Sequence, residues 1–401
     1  MSDAAPLEGI RVLEIGVMIA VPAATHILAS YGAEVIKVED HTVGDTLRFF
    51  GSNKGGMSGW FVNANWGKRS IAIDIKSNAG KEVLTRLIQS ADVLVEGFRT
   101  GVMDRLGFGY EDVRKLNEQI VYCSSSGFGA SGPYAKLPAY DPLIQALTGW
   151  AGVQAHDGKP TLVRAMAADK VGAYTNAQAI MAAIIKRERQ GVGSHVTVSM
   201  LESNLAFVWP DVMMDHTLLD DDVTQLPNVL SSYRLYGCSD GQVAIAAGTD
   251  QHWQSMCEAI DPSCYEDERF HTAAGRGASI GEWMDLCDEM VSSRTVEFVV
   301  QALRAGDVPV APVLDPGDVY LDEQIEATNL LPVTDHHTVG SIRHPRASTG
   351  YFGQTLELRD APLHGEQTDE IMLELGFSED EIDQAVQAKA VSVYSSGINK
   401  H

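Results

Sequence analysis

Long hydrophobic runs are missing from this sequence. No stretch of about 18 uncharged apolar residues occurs, so no membrane-spanning helix and no membrane partner are expected. Basic residues are scarce: 30 Lys+Arg stand against 54 Asp+Glu, a formal net charge of −24, which argues against nucleic acid as a partner. Only 5 cysteines occur (Cys123, Cys238, Cys257, Cys264 and Cys287), an odd number with no C-x-x-C pair. That pattern suits reduced thiols in a cytosol better than a disulfide framework or a cysteine zinc site. The first residues, Met1 to Arg11, lack the basic-then-apolar layout of a secretory leader, and a cytoplasmic location is the expectation. The 12 histidines are scattered; only His336 and His337 are close, no H-x-x-x-H or carboxylate–histidine cluster is visible, and no catalytic metal is expected.

What is present is an ordinary globular composition, 45% apolar over 401 residues, enough at roughly 150 residues per domain for two or three domains. Charge is unevenly placed. Residues 1–190 hold 20 Lys+Arg and 19 Asp+Glu, while residues 191–401 hold 10 and 35. An acidic protein that binds an anion concentrates its cations locally, so an anionic ligand belongs with the first half. An acidic solvated surface on the second half is the plainer explanation.

The first 125 residues alternate strand and helix signals. Strands are expected at 10–14, 34–38, 70–75, 93–95 and 120–123, with helices from Pro22 to Tyr31 and from Ser77 or Asn78 onward. This reads as right-handed β-α-β units on a mostly parallel sheet. Further on, helices are expected at 141–149, about 169–189 and about 201–220, with a strand at 195–199. A hairpin is expected at 233–236 and 243–247, then helices near 250–259, 281–292 and 295–304, and acidic helices over 366–388. Val308 to Val313 reads as a stiff extended connector, and domain boundaries are expected near 225 and 330.

Two motifs mislead. Gly127-Phe128-Gly129-Ala130-Ser131-Gly132 is a literal G-x-G-x-x-G, but Pro133 and Pro138 occupy the place of the helix a dinucleotide needs, and nicotinamide and flavin are not expected. Gly237-Cys238-Ser239-Asp240-Gly241 matches G-x-S-x-G, yet strands flank it on both sides, which is turn chemistry. The chemically suggestive residue is Asp141, at an irregular-to-helix junction after two prolines. It serves either as a helix N-cap followed by Pro142 or as a carboxylate nucleophile kept ionised by the helix dipole.

That segment, Gly132 to Ala146, taken with others in order along the chain, resembles the family III CoA-transferases, which also include acyl-CoA racemases. The other segments are Leu7–Glu14, Leu28–Glu39, Gly67–Ile71, Ala91–Arg99, Asp104–Gly107, Val308–Val313 and Gly365–Thr368. The resemblance implies an α/β fold: a Rossmann-like large domain with a mostly parallel sheet (1–225 with 330–401) that binds CoA, and a smaller α+β domain (226–329). It also implies an interlocked homodimer. Asp141 falls on the catalytic aspartate. Lys37, Lys68, Arg69, Phe98, Arg99 and Arg105 fall in or beside CoA-contacting segments. Backbone N–H groups near Gly127 and Gly129 would serve oxyanions, and Tyr140 and Gly248 would border the substrate. Coenzyme A and acyl-CoA enter as substrates beside small carboxylic acids, with no metal and no redox cofactor.

The implied activity is exchange of CoA between an acyl-CoA donor and a free acid through an aspartyl anhydride and an aspartyl-CoA thioester. A 2-methylacyl-CoA racemase is the alternative, and a non-catalytic CoA-binding subunit the third reading. The racemases of the family place His before the aspartate, where Tyr140 stands here, and a second His in a segment that here reads Tyr122 to Gly127 without one. A protonated tyrosine is a weak general base near pH 7. Val21-Pro22 stands where the family often has Gly-Pro, and Ile19 where some members carry Gln.

Overall fold

In a computed structural model that describes residues 5–155, 158–224, 229–348 and 359–394, the chain divides into two compact units, 1–210 with 331–401, and 211–330. The boundary expected between 225 and 226 lies outside the described residues. Among the described residues no helix is long and apolar enough to cross a membrane.

The larger unit is built on strands β1 (Arg11–Ile15), β2 (Glu34–Asp40), β3 (Lys68–Ile73), β4 (Val93–Glu96), β5 (Val121–Ser126) and β6 (Ser194–Ser199). They pair in parallel in the order β3-β2-β1-β4-β5-β6, and the short strand Val391–Ser392 closes the β3 edge antiparallel. β1 to β4 are nearly continuous buried runs, as a sheet covered on both faces requires. One face carries α1 (Ala20–Ser30) and the 24-residue α4 (Ala167–Gln190), which bury Val21, Leu28, Ala173 and Ile180. The other carries α2 (Asn78–Ser90), whose Val83, Leu84, Leu87 and Ile88 form its buried stripe, and the C-terminal helices Thr368–Glu374 and Glu379–Gln387. Ser77 caps α2 by accepting the Gly80 N–H. β1 is flanked by β2 on one side and β4 on the other, so the strand order reverses between β1 and β4. In open α/β sheets a crevice forms at the carboxyl ends of the strands there.

Two further helices bear on the site: α3 (Asp141–Leu147), between β5 and β6, and α5 (Met200–Val212), directly after β6. α5 ends eight residues before the expected 220. Pro210 lies inside its last turn, where the ring removes a donor and crowds the preceding carbonyls.

The smaller unit packs Trp253, Phe270, Trp283, Cys257 and Cys287 beneath a three-stranded antiparallel sheet. Leu235–Gly237 and Gln242–Ile245 form the expected hairpin, closed by Cys238 N–H to Gly241 O. The expected connector is instead its third strand: Val310–Pro312 pairs with 243–245. Extended backbone with an alternating face becomes a strand once a neighbour supplies the ladder, and Pro312 is tolerated at its end.

Candidate functional site

A cleft of about 330 Å³ opens at the carboxyl ends of β1, β4 and β5, at the reversal of strand order. Its walls include Met18, Phe98, Arg99, Gly127, Tyr140 and Asp169. It shares Phe98, Arg99, Thr100, Ser126 and Phe128 with a second cleft of about 620 Å³, so the two run together as one elongated groove. At the far end Tyr110 stacks on His195, whose Nε2 lies 3.0 Å from Ser124 Oγ.

Sequence reasoning passed over Asp169. It sits in the first turn of α4, half-buried and facing the cleft. Burial, reinforced by the charge of Asp141, pushes its carboxyl up to about 7. The available signal was an acidic residue at the start of the longest helix, the same dipole argument already applied to Asp141.

Asp141 takes a different part from either expectation. Tyr140, not Asp141, is the N-cap of α3, and Asp141 is only 7% exposed. Its Oδ2 accepts from Gln145 Nε2 at 2.6 Å and its Oδ1 from the Asp169 N–H at 3.1 Å. Gln145 in turn is bonded to both the N–H and the carbonyl of Val163. Asp141 therefore caps the neighbouring helix, and its oxygens are already committed. It borders an apolar cavity of about 760 Å³ with Trp60, Leu162 and Arg164, of which Asp169 is not a lining residue.

The expected cations divide into two groups. Arg99 lines both clefts, Arg105 is exposed on the short helix Val102–Leu106, and among the described residues no ion pair engages either. Phe98 also lines the groove. Lys37, Lys68 and Arg69 are corrected. Lys37 and Lys68 have no exposed side-chain surface and are paired with Glu14 at 2.6 and 2.7 Å. Burial opposes charge on both. Glu14 and Asp45 nevertheless hold Lys37 above the ordinary lysine value, while Lys68 falls to about 8. Arg69 is held by Glu34, Glu370 and Glu374, near the amino end of β2 and away from the cleft. An ammonium or guanidinium gripped by carboxylates and closed off from solvent is not presented to a phosphate.

Gly127 lines the cleft because nothing larger fits: a Cβ there would meet the Ala139 Cβ at 2.0 Å, so this glycine seats the loop that carries Tyr140. Gly129 is corrected as an oxyanion donor, since its N–H is spent on Ser126 Oγ at 3.1 Å. Gly248 belongs to the smaller unit, where its carbonyl accepts from Arg276. Tyr140 is 63% exposed at the cleft wall. Glu96, beneath Phe98, accepts the Phe98 N–H at 2.8 Å, and burial raises its carboxyl to about 7.

The missing carboxylate–histidine cluster is a further correction. Asp360, distant in sequence, comes within reach of His336 and His337. His336 spends both ring nitrogens on backbone, Nδ1 accepting from Thr338 and Val339 and Nε2 bonding Ala361 O. His337 bridges Asp360 and Glu366. This triangle fastens a β-turn.

Residues 7–368 match the family described as CoA-transferase family III. The chain is 32% identical over 332 residues to the acetyl-CoA:oxalate CoA-transferase of Acetobacter aceti, covering 81% of this chain and 85% of that protein. It is 31% identical to the succinate–glutarate CoA-transferase of Agrobacterium fabrum, covering 85% and 88%. The crystal structure of a CAIB/BAIF family protein from Brucella suis superposes with a TM-score of 0.81 at 29% identity, covering 92% of this chain and 99% of that one.

Proposed function

The chain belongs to the family III CoA-transferases and is an enzyme of that class; from that premise we propose that it moves CoA between small carboxylic acids, with Asp169 as the covalent carrier. The observation that carries this reading is the carboxylate of Asp169, half-buried in the cleft at the start of α4, with its own N–H held by Asp141. Short dicarboxylates are the first acids to test, because the relatives are named for oxalate, succinate and glutarate.

An Asp169 oxygen attacks the thioester carbonyl of the donor. The C–S bond breaks, CoA leaves as thiolate, and a mixed anhydride forms on the side chain. The thiolate then attacks the aspartyl carbonyl, which releases the first acid as its carboxylate and leaves an aspartyl-CoA thioester. An acceptor carboxylate attacks that thioester, thiolate leaves again, and its return to the acceptor's acyl carbon gives the new acyl-CoA and frees Asp169. Covalent relay divides one difficult exchange into displacements of activated acyl groups. The partial burial that raises the Asp169 carboxyl also makes it a stronger nucleophile than a solvated carboxylate. Arg99 and Arg105 supply charge for the phosphates of CoA, and the groove past Phe98 towards Tyr110 and His195 suits an elongated ligand.

The working form in this reading is a homodimer. Leu143, Leu147, Tyr174, Ile185, Phe207 and Trp209 are exposed apolar side chains on α3, α4 and α5, a concentration a monomer does not ordinarily show to water.

The test is an acid panel with acetyl-CoA and succinyl-CoA read by mass spectrometry, with α-deuterated 2-methylacyl-CoA beside it. CoA transfer to a free acid with retention of deuterium is expected. Deuterium washout at turnover rates, with no transfer to any acid, would make the protein a racemase.

A further inference from the structure

Glu14, Lys37, Asp45 and Lys68 are almost wholly closed off from solvent, and all four meet at the turn joining β1 to α1. They form one connected chain of charges. Lys37 Nζ bridges Glu14 Oε1 at 2.6 Å and Asp45 Oδ2 at 2.9 Å, and Lys68 Nζ binds Glu14 Oε2 at 2.7 Å. Two positive and two negative groups leave the cluster neutral. Thr25 Oγ1 and Asn65 Oδ1 fill remaining positions on Glu14 and Lys68. Asp45 is fixed from its other side, its N–H donating at 2.8 Å to Glu39, which Arg48 grips through two nitrogens.

Burying ion pairs generally gains no more stability than apolar packing of the same volume, so stability alone does not explain the cluster. What it delivers is three directed hydrogen bonds to a single turn. Lys37 Nζ donates to the Gly16 carbonyl at 2.9 Å, Lys68 Nζ donates to the Pro22 carbonyl at 2.8 Å, and Asp45 Oδ1 accepts the Met18 N–H at 3.2 Å. Met18 stands at φ 66, a left-handed conformation that a side-chain-bearing residue keeps only when its surroundings impose it. Val17, Met18, Ala20 and Val21, all in or next to that turn, wall the cleft into which Asp169 faces.

We propose that Glu14, Lys37, Asp45 and Lys68 are positioning residues, an internal ionic clamp that fixes the β1–α1 turn as the wall against which acyl-CoA is held opposite Asp169. This rests on the CoA-transferase reading of the cleft. The clamp touches no ligand. It acts through the backbone of residues 16–22, and it gives Lys37 and Lys68 a function that does not involve phosphate.

The test compares wild type with Asp45→Asn, Lys37→Met and the double variant Lys37→Met/Asp45→Asn, by melting temperature and by steady-state kinetics with succinyl-CoA. Asp45→Asn is nearly isosteric and keeps an oxygen for the Met18 N–H, but it loses the ion pair with Lys37 that fixes that oxygen, and is expected to raise the KM for acyl-CoA by about tenfold or more, as loss of positioning does. Lys37→Met leaves two buried carboxylates short of a cation and lowers the melting temperature. The double variant removes one charge of each sign, so its melting temperature recovers towards wild type while its KM stays high. A structural role alone would return KM together with stability. Folded Asp45→Asn with wild-type KM, or a double variant whose KM recovers with its melting temperature, overturns the clamp; if the double variant does not fold, Asp45→Asn alone decides. Calorimetric titration of wild type with CoA is the control. No binding there defeats the transferase reading itself, whereas normal wild-type binding with unaltered variants defeats only the clamp.

Discussion

The backbone N–H of Asp169 donates to Oδ1 of Asp141 at 3.1 Å, so one carboxylate anchors the helix turn that presents the other. The pair is unequal. Asp141 is buried with hydrogen bonds on both oxygens, and Asp169 faces the cleft. Their like charges make the ionisation of Asp169 depend on Asp141.

Substituting each member separates their roles. Asp169→Asn is expected to lower kcat by about 10³-fold or more, as removal of a covalent nucleophile does, and hydroxylamine added during turnover should trap wild type at Asp169. Asp141→Asn keeps an oxygen acceptor for the Asp169 N–H and retains activity. A variant Asp169→Asn with near-normal turnover would falsify the assignment.

The pH dependence follows from the same pair. Asp169 must be ionised to attack, so kcat/KM should rise with pH up to about 7 and then level off. Asp141→Asn removes a repelling charge, so the acid limb should move to lower pH. An unmoved limb would assign it to another group, Glu96 being the first candidate since its carboxyl also stands at about 7.

Stability carries the opposite sign. The folded carboxyl of Asp169 is raised above the ordinary aspartate value, so between about 4 and 7 the native state holds a proton that the unfolded chain has released. Its contribution to stability is complete below about 4 and is lost as the pH rises through about 7. The melting temperature of Asp169→Asn minus that of wild type should therefore increase from pH 5 to pH 8. A flat difference would show that Asp169 titrates as it does in the unfolded chain.

The two groups of cations give a paired test. Arg99→Gln should weaken CoA binding by about 1–3 kcal/mol, the range for a charge-assisted bond to phosphate. Arg69→Gln should leave CoA affinity unchanged and lower the melting temperature, because Glu34 and Glu374 lose one of their two arginine partners and keep only Arg11. Calorimetry and thermal melting on the same two variants read both outcomes, and a reversed pattern would return Arg69 to the binding site.

Assembly can be checked by sedimentation. A homodimer should run at ~87 kDa, twice 43.3 kDa, and remain so on dilution to nanomolar concentration if the subunits interlock. A folded monomer under those conditions would rule out interlocking.

The sequence by itself determined the local pieces. The apolar runs at 34–38 and 93–95, a helix start at Ser77 or Asn78, the stripe from Val83 to Ile88 and the turn at Cys238 to Gly241 each depend on residues a few positions apart, and all appear in the structure. The segments quoted for the family likewise survive as linear text, from Leu7 to Thr368. The tertiary structure decided what each charged or polar side chain faces. Asp141 and Asp169 are 28 residues apart, Lys68 meets Glu14 across 54, and Asp360 meets His337 across 23. Nothing in the local spacing shows that Lys37 is sealed under a turn while Arg99 stays open to a groove. A strand or cap is fixed by neighbours along the chain, but the solvation of a charge is fixed by whatever segment packs over it, and that is settled only when distant parts of the chain close on one another.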